Sequence, residues 1–142
     1  MRISAKGEYA IKAVLDLAMH YRSELIPIQD ISARQAIPPR YLEQVLLALK
    51  RAGLLISKRG SSGGYHLTRP PEEITVGAVL RAVEGGHAPF EALGRNAEGY
   101  DLAELWHDIG EAVSSVIDGL TFGELAARAR ERRAAVRSMY YI

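Results

Sequence analysis

The chain contains no cysteine. Disulfides, thiolate nucleophiles and cysteine-ligated zinc or iron–sulfur sites are thereby excluded, and His20, His66, His87 and His107 are the soft ligands that remain. Aromatic residues are few, at 7%. No apolar run approaches the ~20 residues a membrane-spanning helix requires. The apolar stretch from Tyr9 to Met19 is interrupted by Lys12 and Asp16, charges that the apolar core of a secretory signal does not carry; a cytoplasmic protein is expected. A phosphate loop is also missing, because Gly60-Ser61-Ser62-Gly63-Gly64 is not followed by Gly-Lys-Ser/Thr. There is no evident nucleophile–base pair, and an enzyme is not expected. His107, Asp108 and Glu111 fall close on one helical turn, and His107 with Glu111 has the i,i+4 spacing of two metal ligands. A solvated helix face accounts for the same residues, and the expectation is that the protein holds no metal and no cofactor.

What is present is an ordinary globular composition, 48% hydrophobic over 142 residues, enough for one compact domain or a small domain with an added oligomerisation element. The net charge of +1 conceals a division. Residues 1–69 hold eleven Lys/Arg against five Asp/Glu, and residues 70–142 hold seven Arg against twelve Asp/Glu. A basic N-terminal half suits a polyanion.

Local patterns divide that half into short helices and a hairpin. Ser4 is a candidate N-cap for a first helix running to Tyr21, with Tyr9, Ala13, Val14, Leu17, Ala18 and Tyr21 on one face. Residues 25–28 read as an extended link, and a brief helix follows from Asp30 to Ala36 with Ile31 inward. Ile37-Pro38 ends it, since the residue before proline avoids helical dihedrals. Pro39 suits the first position of a third helix, which needs no amide donor there. That helix runs to about Ala52, burying Leu42, Val45, Leu46 and Leu49 at helical spacing, with Gly53 as its C-terminal stop. Strands over 54–58 and 64–68 flank a glycine/serine tip. A fourth helix spans Thr75 to Glu84, capped by Thr75 or Ile74 and halted by Gly85-Gly86.

After a small-residue segment, 85–100, comes the longest predicted helix, about Asp101 to Leu120. Leu102, Trp106, Ile109, Val113, Val116 and Leu120 are spaced 4, 3, 4, 3, 4, the 3.5-residue seam of a helix packed on another long helix. Leu105 and Ile117 widen it. A helix of about 30 Å with that seam points to a homodimer, the rest of the chain being too short to cover it. Thr121 and Glu124 form a capping box for a last helix, which holds Leu125 and Ala129 and turns arginine-rich before Met139-Tyr140-Tyr141-Ile142.

The second and third helices form a helix-turn-helix, whose second helix presents side chains to base edges in the major groove. With the apolar stripe inward, the outward set is Arg40, Tyr41, Glu43, Gln44 and Leu47. Arg40 can donate to guanine or to phosphate, Gln44 can bond an adenine edge in bidentate fashion, and Glu43 can accept from a cytosine amino group. Glu43 can equally serve as a surface partner for a basic side chain. The hairpin supplies Lys58 and Arg59 before the tip at Gly60 and Ser61. Arg59 is placed to enter the minor groove, where the potential attracts guanidinium. Arg2, Lys6, Lys50 and Arg51 are candidates for phosphate.

The pattern Ser4-x-Lys6-Gly7-x-Tyr9-Ala10, with Tyr41-Leu42-Glu43-Gln44 and Arg59-Gly60-x-x-Gly63-Gly64-Tyr65, resembles the signature of the Rrf-type winged-helix regulators. The likeness continues through Ile74-Thr75-Val76-Gly77, Leu105-Trp106 and Thr121-x-x-Glu124-Leu125-Ala126. The resemblance implies a mainly α fold with a small β wing: a winged helix-turn-helix unit over 1–84, a loop over 85–100, and a dimerisation helix with a C-terminal helix and tail over 101–142. It implies a homodimeric regulator, usually a repressor, on a partly palindromic operator, with Tyr41, Glu43 and Gln44 in the major groove and Arg59 in the minor groove. Members that bind an iron–sulfur cluster do so through cysteines in the loop before the long helix; with none here, cluster sensing is not expected. Glu84-Gly85, Ala88-Pro89-Phe90-Glu91, Glu104-Leu105-Trp106, Val116-Ile117-Asp118 and the terminal Tyr141-Ile142 are similar to the cluster-free cysteine-metabolism branch. That branch implies cysteine synthase as a partner, engaged through Tyr141 and Ile142 by capture of the terminal carboxylate. The competing readings are a winged-helix protein-interaction module and a regulator answering to another small molecule.

Overall fold

The computed structural model describes residues 3–21, 24–85 and 100–140. Ser4 opens helix α1 (Ala5–Met19) as its N-cap, the hydroxyl accepting from the Gly7 amide at 3.1 Å. The same hydroxyl donates to Glu84 Oε1, at the far end of α4 (Val76–Val83). Gly7 permits that approach: a Cβ there would press on Ile3, Leu80 and the Glu84 carboxylate. The face Ala10, Ala13, Val14, Leu17 and Ala18 is buried. The helix ends short of Tyr21, which leaves the core and stacks on His66 with ring centroids 5.0 Å apart.

The expected link over 25–28 divides in two. Ile26 pairs antiparallel with Tyr65, its amide and carbonyl bonded to Tyr65 at 2.9 and 2.8 Å, and Pro27 in extended conformation turns the chain into α2 (Ile28–Gln35), two residues before the expected start. Ala36 at φ +52 closes α2, and the Ser32 hydroxyl bonds the Ile37 carbonyl at 2.6 Å. Helix α3 (Pro39–Arg51) buries Leu42, Val45, Leu46 and Leu49, as its periodicity predicts. Strands β1 (Leu55–Lys58) and β2 (Gly64–Leu67) pair antiparallel from Leu55↔Leu67 to Lys58↔Gly64, each slightly shorter than expected. Gly64 lies so close to the Ile26 carbonyl that a Cβ would collide with it; the glycine is what lets Ile26 act as a third, one-residue strand.

A 3-10 turn, Pro71–Glu73, leads to α4, whose cap is Thr75, accepting from the Ala78 amide at 3.1 Å. A second 3-10 turn, Tyr100–Leu102, takes the place of the expected first turn of α5 (Ala103–Gly119). Helix α6 (Phe122–Tyr140) begins with the Glu124 amide donating to Thr121 Oγ1 at 3.2 Å, the forward half of the expected capping box. Phe122 and Ala126 are its buried residues, while Leu125 and Ala129 are half-buried. Phe122 N–H···O=C Ile74 and Val76 N–H···O=C Leu120 bonds, both 2.9 Å, pin this corner to the start of α4.

The core lies between α1, α3 and α4, closed by α2, β2 and the first turns of α6. One charge is buried in it. Asp16 is 0% exposed and accepts from Arg34 Nε and Nη2 at 2.9 Å each and from Gln35 Nε2 at 3.2 Å. The hydrogen bond to Asp16 holds the Arg34 guanidinium above its already high pKa. This pairing fastens α2 to α1.

Candidate nucleic-acid interface

Four side chains stand outward on the first two turns of α3: Arg40, Tyr41, Glu43 and Gln44, all exposed. They stand outward because the stripe at 42, 45, 46 and 49 is consumed by the core. Leu47, one turn further, is 47% exposed, an apolar group on a polar face that can meet a thymine methyl or a sugar. Tyr41 does not stand alone. Its ring is 6.1 Å from that of Tyr9 on α1, and the pair borders a shallow cleft with Ala5, Lys6, Gln44 and Val45. Tyr9, expected on the inward face of α1, therefore also packs beside the exposed Tyr41. Lys6 is exposed on the first turn of α1 beside this cleft.

The wing rises on the other side of α3. A groove between them is lined by Glu43, Leu47 and Lys50 from the helix, Lys58, Arg59, Gly60 and Ser61 from the wing, and Pro27, Ile28 and Gln29 from the start of α2. Lys58, Arg59, Gly60 and Ser61 are exposed. Gly60 takes φ +116, a backbone region that a side chain would disfavour, and its carbonyl receives the Gly63 amide at 3.0 Å. A Cβ at Gly63 would strike the Lys58 carbonyl, so the tip is tight. Lys50, one of the phosphate candidates, donates to Ser57 Oγ at 2.7 Å and thus ties the recognition helix to the wing; Arg51 is exposed. Arg40 and Arg51 on α3 and Lys58 and Arg59 on the wing face solvent, and Glu43 shares the groove with Lys50, Lys58 and Arg59. Such an arrangement attracts phosphate overall while retaining one group that accepts from bases. Arg2, also expected here, lies outside the described residues.

The expected dimer residues lie elsewhere, on α5. Leu102, Leu105 and Val116 are exposed, Val116 by 64%. Trp106, Ile109, Val113 and Leu120 are half-buried and Ile117 is buried. Leu120 and Val113 pack on the chain's own core, so the seam is shared between the domain and solvent. Its C-terminal end is held by Arg81 of α4, which donates to Asp118 at 2.6 and 3.0 Å. That hydrogen bond holds the Asp118 carboxyl below the usual carboxylate range. Gly77 makes room for Asp118, since a Cβ there would overlap the carboxylate. His107 and Glu111 are both exposed on α5, and among the described residues no group of three or more His, Cys, Asp or Glu is arranged to hold a metal ion. Tyr141, Ile142 and most of the 85–100 loop, residues 86–99, lie outside the described residues. Among the described residues no helix is long and apolar enough to cross a membrane.

The geometry agrees with known proteins. The family described as Rrf2, Iron-dependent Transcriptional regulator, matches residues 3–128. The HTH-type transcriptional regulator IscR of Aliivibrio salmonicida is 40% identical over 129 residues, spanning 88% of this chain and 77% of that protein. Two solved structures, T. potens IscR and CymR (YrzC), the global cysteine regulator of B. subtilis, each superimpose with a TM-score of 0.79. The first is 31% identical and covers 93% of this chain and 90% of its own; the second is 35% identical and covers 90% and 98%. These relatives are regulators, not enzymes. The iron of the family's description does not fit a thiolate-ligated centre here, because the chain has no cysteine to supply the ligands. A winged helix with an exposed polar face on α3, together with matches over most of its length, makes this chain a DNA-binding transcriptional regulator of the Rrf2 family.

Proposed function

We propose that the chain acts as a homodimeric, sequence-specific repressor that receives its signal without an iron–sulfur cluster and serves cysteine or sulfur metabolism. The observation that carries this reading is the exposure of Arg40, Tyr41, Glu43 and Gln44 on one face of α3, with Lys58 and Arg59 across the groove. Gln44 and Arg40 are one turn apart on that face and address neighbouring base pairs in the major groove. Glu43, between them and the wing, accepts from a cytosine amino group. Arg59 enters the adjoining minor groove, where the amides of Gly60 and Ser61 approach phosphate, and Lys6 and Arg2 hold the backbone beside the start of α1. Two copies joined through α5, along Leu102, Leu105, Trp106, Ile109, Val113, Val116 and Leu120, address a partly palindromic operator, and a dimer seated there excludes the polymerase.

The likeness to a protein titled as a global cysteine regulator, at 35% identity, supports the metabolic assignment, and the absence of cysteine supports a signal other than a resident cluster. A cysteine synthase partner engaged through Tyr141 and Ile142 completes the reading. Binding to the DNA upstream of its own gene tests it: Arg59→Ala and Gln44→Ala each weaken specific binding by about 1–3 kcal/mol. Unchanged affinity in both variants would reassign the reading surface. Deleting Tyr141 and Ile142 is expected to abolish cysteine synthase binding and to leave DNA binding by the dimer intact.

A further inference from the structure

The end of α6 has no surface of its own to rest on. Helix α6 packs on α1 and on the 3-10 turn at Pro71–Glu73, while α5 packs on α4. Arg130 bonds the Met19 carbonyl at the end of α1 at 3.2 Å, and every residue from 131 to 140 is exposed. That is ten residues of helix, about 15 Å at 1.5 Å per residue, continuing from the packed first turns of α6 with every side chain exposed. Arg132, Arg133 and Arg137 alternate there with Val136, Met139 and Tyr140, the last 87% exposed. None of these arginines has an ion-pair partner among the described residues.

Helix α5 and the turn before it carry the complement. Asp101, Glu104, Asp108 and Glu111 are spaced 3, 4, 3 and form one stripe, all exposed and all without a cationic partner among the described residues. Leu105, exposed by 49%, lies at helical spacing beside Asp101 and Asp108, and Leu102, exposed by 53%, adjoins Asp101 in the turn before α5. We infer that in the dimer the arginine-rich end of α6 docks along the acidic stripe of a second copy's α5, with Val136 and Tyr140 covering the exposed leucines. The inference rests on the dimer reading and extends it, since the seam alone leaves both charged surfaces bare. DNA is the competing polyanion, but the phosphates that arginines meet offer little apolar surface to Val136, Met139 and Tyr140 between them; the α5 of a second copy offers both charge and exposed leucine.

A charge exchange tests the pairing. One variant carries Arg132→Glu, Arg133→Glu and Arg137→Glu; the other carries Glu104→Arg, Asp108→Arg and Glu111→Arg. All six positions are exposed, and circular dichroism checks that each variant retains its helices. Each alone is expected to dimerise at least about tenfold more weakly than the unsubstituted chain. Mixed in equal amounts they should form heterodimers almost exclusively by native mass spectrometry, because only the mixed pair matches acid to base in both directions. Two variants that self-associate as the unsubstituted chain does, and mix statistically, would overturn the inference. So would an α6 variant that dimerises normally and loses only DNA affinity. An unsubstituted chain that is monomeric throughout would overturn the dimer reading itself, and this inference with it.

Discussion

The two halves of this molecule are finished to different degrees. In the unit built on α1 to α4, every apolar stripe finds a partner within the chain: the inward residues of α1, α3 and α4 are nearly all below a few per cent exposed, and even the buried Asp16 has its charge matched. Most of the groups left outside on α3 and the wing are polar or charged, with Leu47 and Ile56 as apolar exceptions. In α5 and α6 the relation is reversed. Val116, Leu105, Val136, Met139 and Tyr140 face solvent beside unpaired charges. The first region is a closed body with a polar outer face; the second leaves apolar and charged groups uncovered.

The comparison is broken most sharply at its joint. Phe122 is the plug that fastens α6 to the closed body, and Phe122→Ala is expected to cost about 3–5 kcal/mol, read as a fall in the denaturant midpoint with little change in slope. A loss below about 1 kcal/mol would mean that α6 is not fastened there. Next comes the buried charge. Arg34→Met leaves Asp16 without its bidentate donor, and a cost of about 3 kcal/mol is expected, toward the lower end for a broken buried pair because Arg34 is itself partly exposed. Asp16→Asn with Arg34→Met together should recover part of it; if the double variant is no better than the single, the pairing is not the source of the loss.

These two residues also show where sequence reading stops. The α3 stripe, the Ser4 and Thr75 caps and the glycine-tipped wing were legible because each depends on neighbours within a few residues. Phe122 was not: it reads as one more residue in a capping segment until the pairing of Ile74 with the 120–122 corner brings it inward. Asp16 was visible as a charge in an apolar run, and that misfit was the signal of a buried partner. Its identity, 18 residues away, depends on how α2 crosses α1. Tyr9 beside Tyr41 and Lys50 against Ser57 are likewise contacts between elements. The exposed set on α3 was legible because it is the complement of the buried stripe.

A smaller effect separates the two regions by pH. The Arg81–Asp118 pair holds α5 to α4, and Asp118 is shifted below the usual carboxylate value of 3.8, chiefly by its hydrogen bond from Arg81. A depressed carboxyl contributes stability at neutral pH that is lost as pH falls through its folded-state value. The unsubstituted chain should therefore melt slightly above Asp118→Asn at neutral pH, the gap closing under acid. The pair is substantially exposed, so the gap is small. A gap that widens on acidification would contradict the pairing.

The account stands most directly on whether the exposed face of α3 reads sequence. The deciding measurement is binding to the DNA upstream of its own gene and to a shuffled duplex of the same composition, each over a range of salt. The account predicts at least about a thousandfold preference for the upstream DNA and a steep loss of affinity for both as salt rises. In Gln44→Ala the preference should narrow while the salt slope stays the same. Equal affinity for the two duplexes, with Gln44→Ala indistinguishable from the unsubstituted chain, would contradict it.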